Sequence, residues 1–341
     1  MVRGLPQGVT RDWPMSRRTF GRMVAVLLVA APRMAVAQGS TVVRRIGVLE
    51  PSAPFTPEDI REEAEPLRKL GWVEGHNLQV ERRYANNRLE TLQPLAEELV
   101  RAKVEVIVTG GTAATLAAMR ATTTIPIVFR AAGDPVLLGI VASLARPGGN
   151  VTGYSQAGPE VTAKYLSLLK ELLAGTQRIG VIEFSPNPYF RAARGQFEHT
   201  CRSLGLEPIV VQIAAAGEIA GAIAQLVRQR AQALVLRGDG FFYDHRFDIV
   251  NAAMKHGLPT LVEDGDIVRQ AGALISYTAT QAEQDLRRAS NVDSILRGKK
   301  PADLPVQQPT KFELVINLKT ARALGLTVPQ PLLLRADEVI Q

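Results

Sequence analysis

Cysteine is almost absent: the 341-residue chain holds one, Cys201, so no internal disulfide can form. Its place beside Phe190, Ala193, Phe197 and Leu204 on one helical face makes it a core residue rather than a nucleophile. Histidine is equally scarce. His76, His199, His245 and His256 stand far apart, and none makes a two-histidine pattern with a third ligand, so no metal site is expected. Beyond residue 37 no apolar run is long enough to cross a bilayer. Neither GxxxxGK[ST] nor GxGxxG occurs, which leaves nucleotide binding unsupported and no cofactor expected. A GxSxG elbow is missing too, and Ser52, Ser155, Ser185 and Ser276 have no sequence-local histidine partner, so no catalytic residue stands out.

What is present begins with charge. The formal net charge is +7, yet residues 1–37 set six arginines against the single Asp12 and so carry +5, leaving +2 for the rest. No Lys/Arg cluster with interleaved aromatics remains to suggest nucleic acid as a partner. The arginines belong to an address: Met15-Ser16-Arg17-Arg18-Thr19-Phe20, then the apolar run Met23–Ala31, then Ala35-Val36-Ala37 as a small-x-small cleavage site. Residues 1–37 therefore read as a signal peptide, with Met15 an alternative start and mature chain from Gln38. Ser-Arg-Arg-x-Phe is similar to the twin-arginine signal of bacteria, which implies a periplasmic destination.

In the mature chain, Val104–Thr109 is an apolar, β-branched run that feeds Gly110-Gly111-Thr112 and then an alanine-rich helix. This is a strand, a turn and a helix N-terminus, with Thr112 as the expected N-cap. In an open parallel sheet such loops form the ligand crevice, and the helix end attracts an anion. The next strand, Ile125–Phe129, runs into Arg130–Pro135, so two such loops lie side by side. Before them come a strand over Val42–Glu50, a helix over Pro57–Leu70 that Pro66 should kink or divide, a strand over Leu78–Tyr84 and a helix carrying Leu89 to Val100. After them come a short helix to Ala145 and a strand at Val151–Tyr154. A second series follows: helices at Glu160–Leu173, Tyr189–Leu204, Glu218–Arg230 and Phe247–His256, with strands at Arg178–Phe184, Pro208–Gln212, Ala233–Leu236, Thr260–Val262 and Ala273–Tyr277. Alternation of this kind predicts an α/β fold of two doubly wound parallel-sheet lobes. A helix from Thr280 to Leu296, a proline-rich link, a strand at Lys311–Asn317, a helix at Leu318–Leu324 and a tail are expected to recross and complete the first lobe. The lobes are then residues 38–155 with 280–341, and residues 156–279.

Among the acidic residues Asp239 stands out, because it follows the buried strand Leu234–Leu236 and takes the crevice position of the second series. As an acid or base there, Asp239 or Glu263 would make the protein an exported cleft enzyme. As a ligand contact, Asp239 would make it a binding protein. A sensor lobe reporting to a membrane kinase is a third reading.

The blocks Arg45–Leu49, Leu70–Gly75, Thr124–Phe129, Gly133-Asp134-Pro135, Ser143–Gly153, Asn187-Pro188, Ser276-Tyr277 and Pro301–Ala321 form a further pattern. Together they resemble the family of bacterial ABC-transporter substrate-binding proteins with the type I periplasmic-binding fold, in the branch that includes tryptophan and other aromatic amino-acid binders. The resemblance covers essentially the whole mature chain. It implies two lobes joined by three crossovers near Tyr154, Thr278 and Pro305–Pro309, a small ligand between them, no catalysis, and delivery to an ABC permease by a monomer that meets the membrane only through that permease. Departures fall near the cleft: Arg61–Pro66 replaces an apolar first helix, Arg130 stands at a usually apolar position, and Ala273 and Thr278 replace glycines. For a zwitterionic ligand such as an amino acid, the carboxylate is expected at Gly111, Thr112 and Ala113, with Ser52 donating. The ammonium is expected at Asp239, with Asn187 as a neutral partner, Tyr277 as a flat wall and Asp134 on the neighbouring loop. Arg130 would pair with Asp134 or meet a second acidic group on the ligand.

Overall fold

Apolar strands alternate with amphipathic helices, and the strands gather into two sheets. In the first lobe β1 (Arg44–Glu50), β2 (Leu78–Tyr84), β3 (Val106–Gly110), β4 (Ile127–Ala132) and β5 (Val151–Ser155) lie in the order β2-β1-β3-β4-β5, all parallel. Their connections include α1 (Pro57–Lys69), α2 (Leu92–Arg101) and α3 (Gly111–Ala121). The computed structural model describes Met1 and residues 43–155 and 158–341, with Val42–Gln341 as one compact unit. The signal peptide, Met1 apart, lies outside the described residues.

Local chemistry explains the boundaries. A capping box starts α1, where Thr56 Oγ1 accepts from Asp59 N and the Asp59 carboxylate accepts from Thr56 N. Pro66 falls in the last turn and does not divide the helix, because a proline there forfeits only one backbone bond. The short helix expected before Ala145 does not form. Residues 133–150 run as turns, with the Asp134 carboxylate accepting from Val136 N and Leu137 N at 3.0 Å and prolines at 135 and 147.

The second lobe holds α4 (Pro159–Leu172), β6 (Arg178–Phe184), α5 (Pro188–Ser203), β7 (Glu207–Ile213), α6 (Ile219–Arg228), β8 (Ala233–Leu236), α7 (Gly240–Asp244), α8 (Arg246–Lys255), β9 (Thr260–Val262) and β10 (Ile275–Ala279). From β10 the chain returns to the first lobe as α9 (Gln281–Leu296), which packs on α1 and on β3, β4 and β5. Here the expected domain division needs correcting. Only α9 and the link after it join the first lobe, whereas β11 (Phe312–Asn317), α10 (Leu318–Ala323), α11 (Gln330–Leu333) and β12 (Glu338–Ile340) complete the second. The sheet order is β12-β11-β10-β9-β8-β6-β7, with β11 antiparallel to β10 and every other pair parallel. The reason is the strand's own pattern. Leu314 and Ile316 enter one apolar cluster while Val315 enters the other, so β11 needs a sheet covered on both faces and a free edge. β10 offers that edge, while the edge of β5 is taken by Gln307, whose carbonyl accepts from Ser155 N and whose N–H donates to Gly153 O, both at 2.9 Å.

Both sheets are buried on both faces. In the first, Ile46, Val48, Val106 and Val128 pack toward α1 and α9, while Leu49, Ile107, Ile127 and Phe129 pack toward α2 and α3. Cys201 lies in the core of the second lobe, fully buried. The lobes are joined by three crossovers, after β5, after β10 and before β11. No helix among the described residues is long and apolar enough to cross a membrane. The placement of β11 is testable: Ile316→Ala should cost about 2–5 kcal/mol, and hydrogen exchange should speed up at β9 and β10 while amides of β1 and β3 keep their protection. Equal loss in both sheets would contradict it.

Candidate functional site

The carboxyl ends of the strands of both lobes face one cavity of about 310 Å³. From the first lobe it is lined by the loops after β1 and β3 and by Arg130 near the end of β4, and from the second by the loops after β6, β8 and β9. Ser52, Gly111, Thr112, Ala113, Asn187 and Asp239, all expected there, line it. Asp134 and Tyr277 do not. The Asp134 carboxylate is spent on its own turn, and the Tyr277 ring stacks on Phe312 at 5.1 Å, leaving its neighbours Thr278 and Ala279 to face the cavity.

The turn into α3 is tighter than its sequence suggests. The N-cap is Gly110, not Thr112, and Gly111 follows at φ +71°, so the helix opens on the cavity without a side-chain cap hydrogen bond. Thr112 Oγ1 instead accepts from Gly133 N at 3.1 Å, tying the two loops together. Gly110 is required by close approach: a Cβ there would lie 1.8 Å from Oε2 of Glu50. The Glu50 carboxylate, only 2% exposed as a residue, thus lies over the opening of α3, in the region expected to receive a ligand anion. Arg130 pairs with this Glu50 at 3.5 Å rather than with Asp134, and its guanidinium lies 5.9 Å from the Phe55 ring. Sequence reasoning passed over Glu50, although a charged residue closing a buried strand was a signal.

On the facing lobe, Asn187 caps α5 by accepting from Tyr189 N and donates from Nδ2 to Asp239 at 2.6 Å. Asp239 in turn caps α7 by accepting from Phe241 N at 2.8 Å. Glu263 accepts from Gly238 N at 2.9 Å, and Asp264 from Asp266 N at 2.9 Å. Beneath them a buried ion cluster holds the lobe: Glu183 takes Arg237 at 2.7 Å on one oxygen and Arg194 on the other, with Arg237 against the rings of Phe190 and Phe197 at 4.8 and 4.6 Å. The lobes meet at the rim. Asp244 Oδ2 accepts from Ala53 N at 2.9 Å and from Asn87 Nδ2 at 2.8 Å, and the Tyr189 ring abuts Gly133, where a Cβ would lie 2.1 Å from it. Among the described residues, no group of three or more His, Cys, Asp and Glu is arranged to hold a metal ion.

Burial dominates the carboxyl groups of the cavity. It pushes Glu50 up from 4.5 to about 7 despite the pull of Arg130. It pushes Asp239 from 3.8 to about 6 against the hydrogen bonds from Asn187 and Phe241. Asp264 rises to about 6 through burial and the nearby Asp266, and burial also raises Glu263. The folded state therefore holds these protons more tightly than the unfolded chain. The resulting stability is complete below the unfolded value and is lost as pH rises through the folded one. For Glu50 the window runs from 4.5 to about 7. Melting of ligand-free protein across it should fall more steeply with pH in wild type than in Glu50→Gln, by up to about 3 kcal/mol at about 1.4 kcal/mol per pH unit. Parallel curves would show that Glu50 titrates normally. A second expectation concerns the rim: Gly133→Ala should hold the lobes apart against Tyr189, enlarging the radius of gyration in X-ray scattering without lowering the melting temperature. An unchanged scattering curve would mean that the ring yields instead.

Comparison with known proteins fits this architecture. A family model described as ABC transporter substrate binding protein matches residues 61–340. A tyrosine-binding protein of Clostridioides difficile (strain R20291) is 28% identical over 261 residues, 76% of this chain and 74% of that one. The structure of an ABC domain from Streptococcus pneumonia in complex with L-Trp aligns at TM-score 0.80 and 24% identity, covering 87% of this chain and 100% of that one. The ligand-free, open structure of a substrate binding protein with adhesive properties from Clostridium difficile aligns at TM-score 0.61 and 24% identity, covering 88% and 99%. With the family model spanning most of the chain and two parallel-sheet lobes enclosing a cavity, this chain belongs to the ABC transporter substrate-binding protein family.

Proposed function

We propose that this protein is exported to the periplasm, captures an amino acid or a similar small ligand in the interlobe cavity, and hands it unchanged to an ABC permease. One observation carries the reading. The cavity is divided between two hinged lobes, with the loops after β1 and β3 on one wall and the Asn187–Asp239 pair on the other. A ligand with an ammonium group reaches Asp239 from the second lobe and touches the loops of β1 and β3 in the first, so only the closed form satisfies both ends. The relatives that bind tyrosine and L-Trp support an amino-acid-like ligand. The lobes here touch through Asp244 and Tyr189, and the TM-score is higher to the L-Trp complex than to the open, ligand-free structure, both of which support hinge closure. The protein acts as a monomer and contacts the membrane only at the permease.

The raised carboxyl groups of Asp239 and Glu263 favour one rival, a cleft enzyme that uses them as acid and base. Native mass spectrometry of protein purified without denaturation separates the two: a binding protein retains one unchanged small molecule per chain, and an enzyme releases a converted one. Calorimetric titration with the molecule so identified then tests the wall. Asp239→Ala removes one partner of a desolvated charge pair, at a typical cost of about 2–5 kcal/mol, so affinity should fall at least about thirtyfold at about 1.4 kcal/mol per tenfold. Unchanged affinity would remove Asp239 from the binding site.

A further inference from the structure

Ten carboxylate side chains line the cavity against two guanidinium groups, Arg130 and Arg269. The chain beyond residue 37 carries a net charge of +2, so this acidity is local to the cleft. Part of it is already neutralised. Glu63 and Asp285 share Arg288, and Asp266 and Glu313 share Arg269, which Glu338 also engages. What remains is unbalanced. The partners of Asp239, Glu263 and Asp264 in the second lobe are neutral: an amide side chain and backbone N–H groups. Arg237, whose field reaches Glu263, is held by Glu183 at 2.7 Å, and Arg246, whose field reaches Asp264, donates to Gln270 and the Tyr243 carbonyl and forms no ion pair with it. In the first lobe Glu50 meets Arg130 only at 3.5 Å, and that guanidinium also lies in the fields of Glu63, Asp285 and Asp264.

A second, independent feature points the same way. Phe55 from the first lobe and Tyr189, Phe241 and Tyr243 from the second line the same cavity. Aromatic faces attract ammonium and guanidinium groups through the ring quadrupole. The anion end of a neutral zwitterion is poorly served, because the opening of α3 already has the Glu50 carboxylate lying over Gly110. Each further positive group, by contrast, finds Asp239, Glu263 or Asp264, whose hydrogen-bond partners are neutral. Among the described residues no three of these groups are gathered as metal ligands, and the aromatic lining suits an organic cation.

We propose that the cavity selects a net-positive organic ligand, an amine or guanidine with more cationic groups than carboxylates, held by Asp239, Glu263 and Asp264 from one lobe and Glu50 from the other. This rests on the solute-binding reading above and narrows its ligand class. The test is calorimetric titration of the mature protein, freed of bound small molecules by dialysis, with L-lysine, L-arginine, cadaverine and agmatine against L-norleucine, L-tyrosine and L-glutamate. At least one cationic member should bind ten times or more tighter than every neutral or acidic one, and Asp264→Asn should weaken that binding at least tenfold without lowering the melting temperature. A neutral or acidic member that binds as tightly as the cations overturns the charge assignment and leaves solute binding standing. So does a neutral or acidic molecule found co-purified when the panel does not bind, whereas a co-purified polyamine or guanidine upholds it. If nothing in the panel binds, nothing co-purifies and scattering shows no compaction, both readings fall together.

Discussion

Two of the three chain crossings are hydrogen-bonded to each other, and the behaviour of the cleft follows from that pairing. Gln307 lies against the end of β5, exchanging bonds with Gly153 and Ser155, so the crossing after β5 and the one before β11 move as one ribbon. The third crossing, between β10 and α9, is short, because Thr280 caps α9 directly after Ala279. Lobes joined this way can rotate about a line but cannot slide freely. Rotation brings the strand ends of one sheet onto those of the other, and that is where both lobes keep their exposed helix ends, polar loops and carboxylates.

Buried charge separates what holds this protein together from what it uses. Glu183 is fully buried, yet two guanidinium groups satisfy it and aromatic rings cover one of them, the arrangement that makes an interior ion pair tolerable. Arg288 does the same for Glu63 and Asp285, binding α9 to α1. Asp239 and Asp264 on the cavity wall lack such partners, and desolvation raises their proton affinity accordingly. The same residue type is structural in one layer and available to a ligand in the next. The difference lies in whether a guanidinium reaches it.

Most of the strand and helix order was legible in the sequence because burial on both faces of a parallel sheet leaves continuous apolar runs, and capping residues mark where helices begin. The failures have particular causes. Thr112 reads as an N-cap, but two glycines before it let the chain turn one residue earlier, which frees its hydroxyl for Gly133. Tyr277 missed the cavity because it stops short of the strand's carboxyl end: Thr278 and Ala279 line the cavity, while the Tyr277 ring stacks on Phe312. The tail went to the wrong lobe in the sequence reading because local pattern tells that β11 is buried on both faces, not which sheet has an edge free for it. The role of Glu50, beyond the signal of a charge closing a buried strand, was hidden for a related reason. Its meaning comes from Gly110 and Arg130, some sixty and eighty positions away, and no local spacing records such contacts.

Closure and charge oppose each other in this cleft, and that opposition can serve as a gate. The rim contacts made by Asp244 with Ala53 and Asn87, together with the packing of Tyr189 on Gly133, favour the closed arrangement. Closing also carries Asp239, Glu263 and Asp264 toward Glu50 across a cavity of about 310 Å³, where like charges are screened less than in open solvent. On the proposed reading, an empty protein either takes up protons on these groups or opens, and near neutral pH the first course is only partly available to groups raised to about 6 or 7. A cationic ligand removes the repulsion and leaves the rim contacts to hold the lobes shut. Its differential affinity for the closed form then comes from the charges it balances, while the rim bonds are indifferent to its identity.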